Sequence, residues 1–303
     1  MKYAITPKPW DVVIETLDAE GHTQVELHDD PELVIYNGTA DQFPKLGESV
    51  KWVQLTLAGI DAFFDRGIIT PDRRWTNASG VYARPVAESA VALLLGALHL
   101  YPDALRRQQW DTSGYIDKHS RWLYDSEVLI IGAGGIGKEL IPMLQGFGCK
   151  VTGVNRSGNP VAGADRTVPF SELDTVLGEA DHVILAAPLT AETHHLVDAE
   201  FLGKMKSSAV FVNVGRGPQV VTDDLVAALE QGTIWAAALD VTDPEPLPDG
   251  HPLFAMNNVL ITPHVANTVS NIPRLISTAI VDNIRAYTNG ETMPTEVDPA
   301  RGY

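Results

Sequence analysis

Cysteine is nearly absent from this chain of 303 residues: Cys149 stands alone. No internal disulfide can form and no cysteine cluster can hold a metal, so a reducing, cytoplasmic setting is the expectation. Positive charge is also scarce, with 22 Lys and Arg against 39 Asp and Glu and a net charge of −17. That balance excludes nucleic acid and anionic membrane as general partners, because no cationic excess exists to offset phosphates. Long apolar runs are missing. The longest, Ala90 to Leu98, falls far short of the roughly 20 residues that span a bilayer, and the opening Met1-Lys-Tyr-Ala-Ile-Thr-Pro-Lys-Pro lacks the apolar centre of a signal peptide. No spacing of His, Asp and Glu resembles a metal site, so no metal is expected.

What is present is a regular alternation of strands and helices. Glu127-Val-Leu-Ile-Ile reads as a buried strand, Gly132-Ala-Gly-Gly-Ile-Gly137 follows it, a helix runs on from Lys138, and Lys150-Val-Thr-Gly-Val is a second strand. This βαβ unit carries G-x-G-x-x-G in its first turn. Gly132 makes the tight turn, Gly134 admits a pyrophosphate, and Gly137 lets helix and strand pack closely, with Gly135 and Ile136 in the same loop. Further strands are expected from His182, Ala209, Ile234 and Val259, separated by helical spacers. The expected fold class is therefore α/β, with a Rossmann-type doubly wound parallel sheet. Ahead of it, short strands are expected at Tyr3–Thr6, Thr23–Leu27, Leu33–Tyr36 and from Trp52 to Leu57, and the stretch from Lys8 to Asp18 reads as a loop. A long apolar helix is predicted from Pro85, kinked or ended at Pro102, and a last helix from Ile272 to Asn289.

Three phrases end predicted strands of the large sheet: Asn213-Val-Gly-Arg-Gly217, Asp240-Val-Thr-Asp-Pro-Glu-Pro246 and Thr262-Pro-His264. Ligands of open parallel sheets bind beyond the carboxyl ends of the strands. One cation (Arg216), one carboxylate (Glu245) and one imidazole (His264) on the same rim make a candidate active site. The second strand ends Gly153-Val-Asn155-Arg156-Ser157, and no acidic residue follows until Asp165. A carboxylate at that place would bind the ribose hydroxyls of NAD and repel a 2′-phosphate. Its absence, with Arg156 and Ser157 present, leads us to expect NADP(H) as the preferred cofactor, with NAD(H) possible.

Several longer phrases resemble one family. Ala58-Gly-Ile-Asp61, Gly80-Val-Tyr-Ala-Arg-Pro-Val-Ala-Glu88, Gly132–Gly137 and Ala187-Pro-Leu-Thr-Ala-Glu-Thr193, with the Arg, Glu and His phrases, look like the D-isomer-specific 2-hydroxyacid dehydrogenases in family order. The Asn-Arg-Ser stretch and the Arg-rich helix before the nucleotide motif are most similar to the glyoxylate/hydroxypyruvate reductase branch. Gly135 departs from the many relatives that carry Arg there.

The resemblance implies a flavodoxin-like α/β substrate domain from residues 1–84 and 269–303, and a dinucleotide-binding domain from 85–268. It implies that Arg216 binds the substrate carboxylate and polarises the 2-oxo group. His264 would donate the proton, and Glu245 would hydrogen-bond to His264 and keep the imidazole protonated near neutral pH. The backbone at Ala58 and Gly59 would complete the carboxylate site, and Asp240 would hold the nicotinamide carboxamide. Ala187, Pro188 and Thr193, with Val214 and Gly215, would lie along the cofactor, whose adenosine end Asn155, Arg156 and Ser157 would meet. The implied partners are a small 2-oxo or 2-hydroxy acid and a second copy of the chain, the long apolar helix favouring a homodimer. The rival expectations are an NAD-dependent dehydrogenase of bulkier 2-keto acids and a nucleotide-sensing corepressor. Glu245 speaks against the formate branch.

Overall fold

A computed structural model of the chain describes residues 1–299. The chain divides into two compact units, Met1–Tyr82 with the segment from Thr268 onward, and Ala83–Asn267. The first boundary falls at the start of a helix, two residues before Pro85.

In the first unit five parallel strands, β1 (Lys2–Thr6), β2 (Thr23–Gln24), β3 (Leu33–Tyr36), β4 (Trp52–Leu55) and β5 (Arg74–Thr76), lie in the order β2-β1-β3-β4-β5. Every residue of β3 and β4 is buried, as parallel strands covered on both faces must be. The segment expected to be a loop before Asp18 instead forms helix α1 (Asp11–Ala19). Its Val13 and Leu17, one turn apart, are fully buried and supply the apolar face. β2 is shorter than expected: past Gln24 only the Val25 amide still bonds β1, at the Tyr3 carbonyl, and the chain then turns with the Asp29 amide on the Glu26 carbonyl. β5 escaped notice in the sequence, since three residues beginning with arginine carry no apolar period. Helix α2 (Asp61–Asp65) follows β4, and α11 (Ile272–Thr288) closes the unit.

A buried polar network ties these pieces together. The Asn283 amide on α11 donates to Gln54 Oε1 (2.9 Å), which also accepts the Thr76 hydroxyl (2.7 Å). Gln54 Nε2 in turn donates to the carbonyls of Leu55 and Asn77. Fully satisfied networks of this kind fix one arrangement of a core.

The second unit begins with α3 (Ala83–Leu98), α4 (Tyr101–Arg107) and α5 (Tyr115–His119). Pro102 does not interrupt α3. The helix ends at Leu98, Leu100 takes a left-handed conformation, and Pro102 sits in the first turn of α4, bent 63° from α3. No single helix among the described residues is long and apolar enough to cross a membrane. Then come β6 (Glu127–Ile131), α6 (Gly135–Gln145), β7 (Lys150–Asn155), β8 (Arg166–Pro169), α7 (Leu173–Leu177), β9 (His182–Leu185), α8 (Ala199–Lys204), β10 (Val210–Asn213), α9 (Thr222–Glu230), β11 (Ala236–Leu239), α10 (Pro252–Ala255) and β12 (Val259–Ile261). The seven strands are parallel in the order β12-β11-β10-β9-β6-β7-β8. Alternate residues supply two cores: Val128 and Ile130 meet the face of α3 and α6, Leu129 and Ile131 the face of α7, α8 and α9. Most of the apolar surface of α3 is thus covered within its own unit.

Candidate active site

Because the strands of the large sheet are parallel, the loops after β6, β7, β9, β10, β11 and β12 leave from one rim. The loop after β6 turns at Gly132, whose φ is +97° and where a Cβ would lie 2.5 Å from the Ala187 backbone. Only glycine satisfies both conditions. At Gly134, just before the first turn of α6, an added Cβ would meet nothing within 4 Å, so the space over the helix amides is open. A helix N-terminus with unobstructed amides fits a pyrophosphate.

After β7, the Asn155 side chain organises the loop by accepting the amides of Gly158 (2.7 Å) and Ser157 (3.1 Å) and donating to the Asn159 carbonyl. Arg156 and Ser157 are exposed on it. Asp165, the first acid beyond, stands immediately before β8 and binds the Val151 amide at the opposite end of β7 (2.7 Å). After β9, Ala187 is buried and Pro188 exposed. The buried Thr193 spends its hydroxyl on the Pro188 carbonyl (2.7 Å), bracing the loop.

Arg216 is held on both sides. Its amide donates to Gln219 Oε1 (2.8 Å), its carbonyl accepts from Asn213 Nδ2 (3.2 Å), and its guanidinium bonds the Gly215 carbonyl (2.7 Å). Gln219 reaches on to the Pro188 carbonyl (3.1 Å), joining the loops after β9 and β10. At Gly217 a Cβ would collide with the Thr242 carbonyl, so the arginine loop lies directly on the loop that carries Glu245. The Thr222 hydroxyl binds the Asp243 carbonyl (2.5 Å) and secures that second loop.

His264 Nδ1 lies 2.6 Å from Glu245 Oε1, with both side chains about half exposed. His264 has φ +53°, a left-handed conformation that costs a non-glycine residue about 1–2 kcal/mol. Its amide binds the Asp240 carbonyl (2.8 Å). The buried Asp240 carboxylate accepts the Thr262 hydroxyl (2.6 Å) and the amides of Val265 (2.9 Å) and Ala266 (3.0 Å).

In the first unit, the exposed Ala58 and half-buried Gly59 form the turn after β4. Asn77 Nδ2 donates to the Ala58 carbonyl (3.1 Å), the Ala78 amide to that of Leu57, and the Tyr82 hydroxyl to that of Thr56 (2.6 Å). Burial pushes the Tyr82 phenol well above its ordinary range, so it stays a donor. Asn77 and Gln219 carry no signal in the sequence, and Asn213 and Thr262 stand there only as the first residues of two strand-end phrases. The asparagine opening Asn-Val-Gly-Arg-Gly was the one usable signal, since an Asx residue two before a turn glycine caps its amide, as Asn213 does at Gly215 (2.9 Å). No group of three or more potential metal ligands occurs among the described residues.

Comparison with known proteins agrees with this arrangement. Residues 90–266 match the model of the D-isomer specific 2-hydroxyacid dehydrogenase, NAD binding domain. An uncharacterized protein in the proB 3′ region of Corynebacterium melassecola is 47% identical over all of both chains. Human glyoxylate reductase/hydroxypyruvate reductase is 34% identical over 83% of this chain and 78% of its own length. A D-isomer specific 2-hydroxyacid dehydrogenase from Xanthobacter autotrophicus, crystallised with NADPH and MES, superposes with a TM-score of 0.79 at 29% identity, covering 100% of this chain and 99% of its own. With a nicotinamide-nucleotide sheet ending in Arg216, Glu245 and His264, the chain belongs to the D-isomer specific 2-hydroxyacid dehydrogenases, NAD(P)-dependent oxidoreductases acting on small hydroxy and oxo acids.

Proposed function

We propose that the protein is an NADP(H)-preferring reductase of small 2-oxo acids of the glyoxylate and hydroxypyruvate class. The observation that carries this is the 2.6 Å contact between His264 Nδ1 and Glu245, on the rim that also presents Arg216. With Nδ1–H given to the carboxylate, Nε2 is the free proton-bearing nitrogen of the imidazolium. His264 protonates the carbonyl oxygen from Nε2 while Glu245 steadies the positive ring, and in the reverse direction the neutral ring takes the hydroxyl proton. Arg216 offers a planar fork that engages the carboxylate and the 2-oxo oxygen together, drawing electron density from the carbon under attack. A bound nicotinamide supplies or accepts the hydride.

The loop Gly132–Gly137 is assigned to the pyrophosphate, Ala187, Pro188, Thr193, Val214, Gly215 and Asp240 to the nicotinamide side, and Asn155, Arg156 and Ser157 to the 2′-phosphate. Ala58 and Gly59 are assigned to the substrate carboxylate by resemblance. The lack of an acid after Val154 supports NADP, and the NADPH-bound Xanthobacter relative is consistent with it. A homodimer is proposed because Leu105, Trp110, Trp122 and Tyr124 are 65–89% exposed along one segment of the second unit. Surface of that kind favours a covering partner. A cytoplasmic setting is proposed on composition.

The test is NADPH oxidation across a panel from glyoxylate and hydroxypyruvate to branched and aromatic 2-keto acids, repeated with NADH. Arg216→Ala and His264→Ala should each cost at least about a hundredfold in kcat/KM. Arg156→Ala should weaken NADPH about tenfold and leave NADH unchanged. Retained activity in the first pair, or equal efficiency with both cofactors, refutes the respective part.

A further inference from the structure

We propose that Asp240 is a positioning residue for His264, its carboxylate clamping the Thr262–Ala266 loop so that the imidazole stays on Glu245. The inference rests on the reading of His264 as the proton donor. Asp240 follows the last residue of β11 and is 2% exposed. Its Oδ1 accepts the Thr262 hydroxyl at 2.6 Å and the Val265 amide at 2.9 Å, and its Oδ2 accepts the Ala266 amide at 3.0 Å. Its own carbonyl takes the His264 amide at 2.8 Å. Four hydrogen bonds from both sides of the histidine therefore converge on one residue.

This convergence answers a local difficulty. His264 holds a left-handed φ of +53°, which a histidine keeps only where its surroundings overdetermine it. The Val265 and Ala266 amides that follow it cannot be satisfied by a strand ladder, because β12 has ended at Ile261. A buried carboxylate with two acceptor oxygens supplies what the ladder does not. Three of its acceptor positions are already used inside the loop, so a nicotinamide carboxamide could draw on only the remainder. The clamp and the cofactor contact are separate roles with separate kinetic signatures. Loosening the clamp lets the imidazole leave Glu245 and lowers kcat. Loss of a carboxamide contact would instead weaken nucleotide binding.

Thr262 separates them, since its hydroxyl touches Asp240 and is replaced isosterically in Thr262→Val. With hydroxypyruvate and saturating NADPH, Thr262→Val should lower kcat about tenfold, part of the 10²–10⁴ that a placed general acid supplies. The solvent deuterium isotope effect on kcat should rise, and the NADPH dissociation constant from fluorescence titration should stay within about twofold. Thr262→Ser, which keeps the hydroxyl, should restore kcat. Asp240→Asn, which turns one acceptor into a donor facing the Ala266 amide, should lower kcat further; if it does not fold, the Thr262 pair decides alone. An unchanged kcat in Thr262→Val beside an inactive His264→Ala would overturn the clamp. So would a fall in activity that follows weakened NADPH binding. A His264→Ala enzyme with wild-type kcat would instead sink the proton-donor reading, and with it the functional meaning of the clamp.

Discussion

His182 opens β9 in the middle of the large sheet, between Val128 of β6 and Val210 of β10, and is 4% exposed with no hydrogen-bond partner on Nδ1. Burial pulls its pKa down to about 4, Asp181 opposes the shift, and the nearby cations Arg121 and Lys206 add to it. The folded chain therefore carries a neutral ring where an unfolded chain would take up a proton near pH 6.5. Between those values the unfolded state binds more protons, so stability is complete above about pH 6.5 and is lost as the pH falls toward 4. A shift of about 2.5 units corresponds to about 3 kcal/mol, of which about 2–3 kcal/mol is gone by pH 4.5.

His182→Leu removes the titration and the orphaned nitrogen while keeping an apolar volume in the strand. Near neutral pH it should be as stable as the wild type or up to about 1 kcal/mol more so, because an unpaired buried polar atom disappears. Its advantage should then grow by about 2–3 kcal/mol as the pH is lowered to about 4.5. Urea unfolding of both proteins over that range, at one protein concentration and without nucleotide, measures the difference. Taking it between the two proteins cancels every carboxylate they share. Parallel pH slopes would refute the reasoning, since they would mean that His182 is hydrated or partnered in solution.

Two further substitutions test how the site is built. Gly217→Ala should destabilise the second unit by about 3 kcal/mol or more through overpacking on the Thr242 carbonyl, whereas Gly203→Ala, where a Cβ meets nothing, should leave the melting temperature nearly unchanged. Equal melting curves would show that the two loops can separate at no cost. Asn77→Ala frees the Ala58 carbonyl and should raise KM for the 2-oxo acid about tenfold with kcat and NADPH affinity preserved, a loss of about 1.4 kcal/mol in substrate contact. An unchanged KM would remove the Ala58–Gly59 turn from the carboxylate assignment.

The strands of the large sheet were legible because burial on both faces forces runs such as Val-Leu-Ile-Ile and Val-Phe-Val-Asn, and the glycine loop because its geometry admits little else. Elements with weaker demands were not. Helix α1 hides behind Pro7, Lys8 and Pro9 and shows only Val13 and Leu17 as its inward stripe. β5 is three residues long, and the end of α3 is set by the left-handed Leu100 rather than by Pro102. In each case tertiary contacts decide what local propensity leaves open.

The site divides in the same way. Arg216, Glu245 and His264 stand out in the sequence because each follows a strand with chemistry that a structural position rarely needs. The residues that aim them are ordinary polar side chains: Gln219 under Arg216, Thr222 under the Glu245 loop, and Asp240 with Thr262 under His264. Their partners are mostly backbone groups, and a backbone amide has no signature in a sequence. A left-handed histidine is invisible there too, yet it explains why a buried carboxylate must stand one strand away. The demand for an imidazole at a chosen point is met by strain at His264, and that strain obliges Asp240 to collect the hydrogen bonds a regular strand would have made. Placement of the His264 imidazole is thus a property of the residue that follows β11 as much as of the loop that carries the histidine.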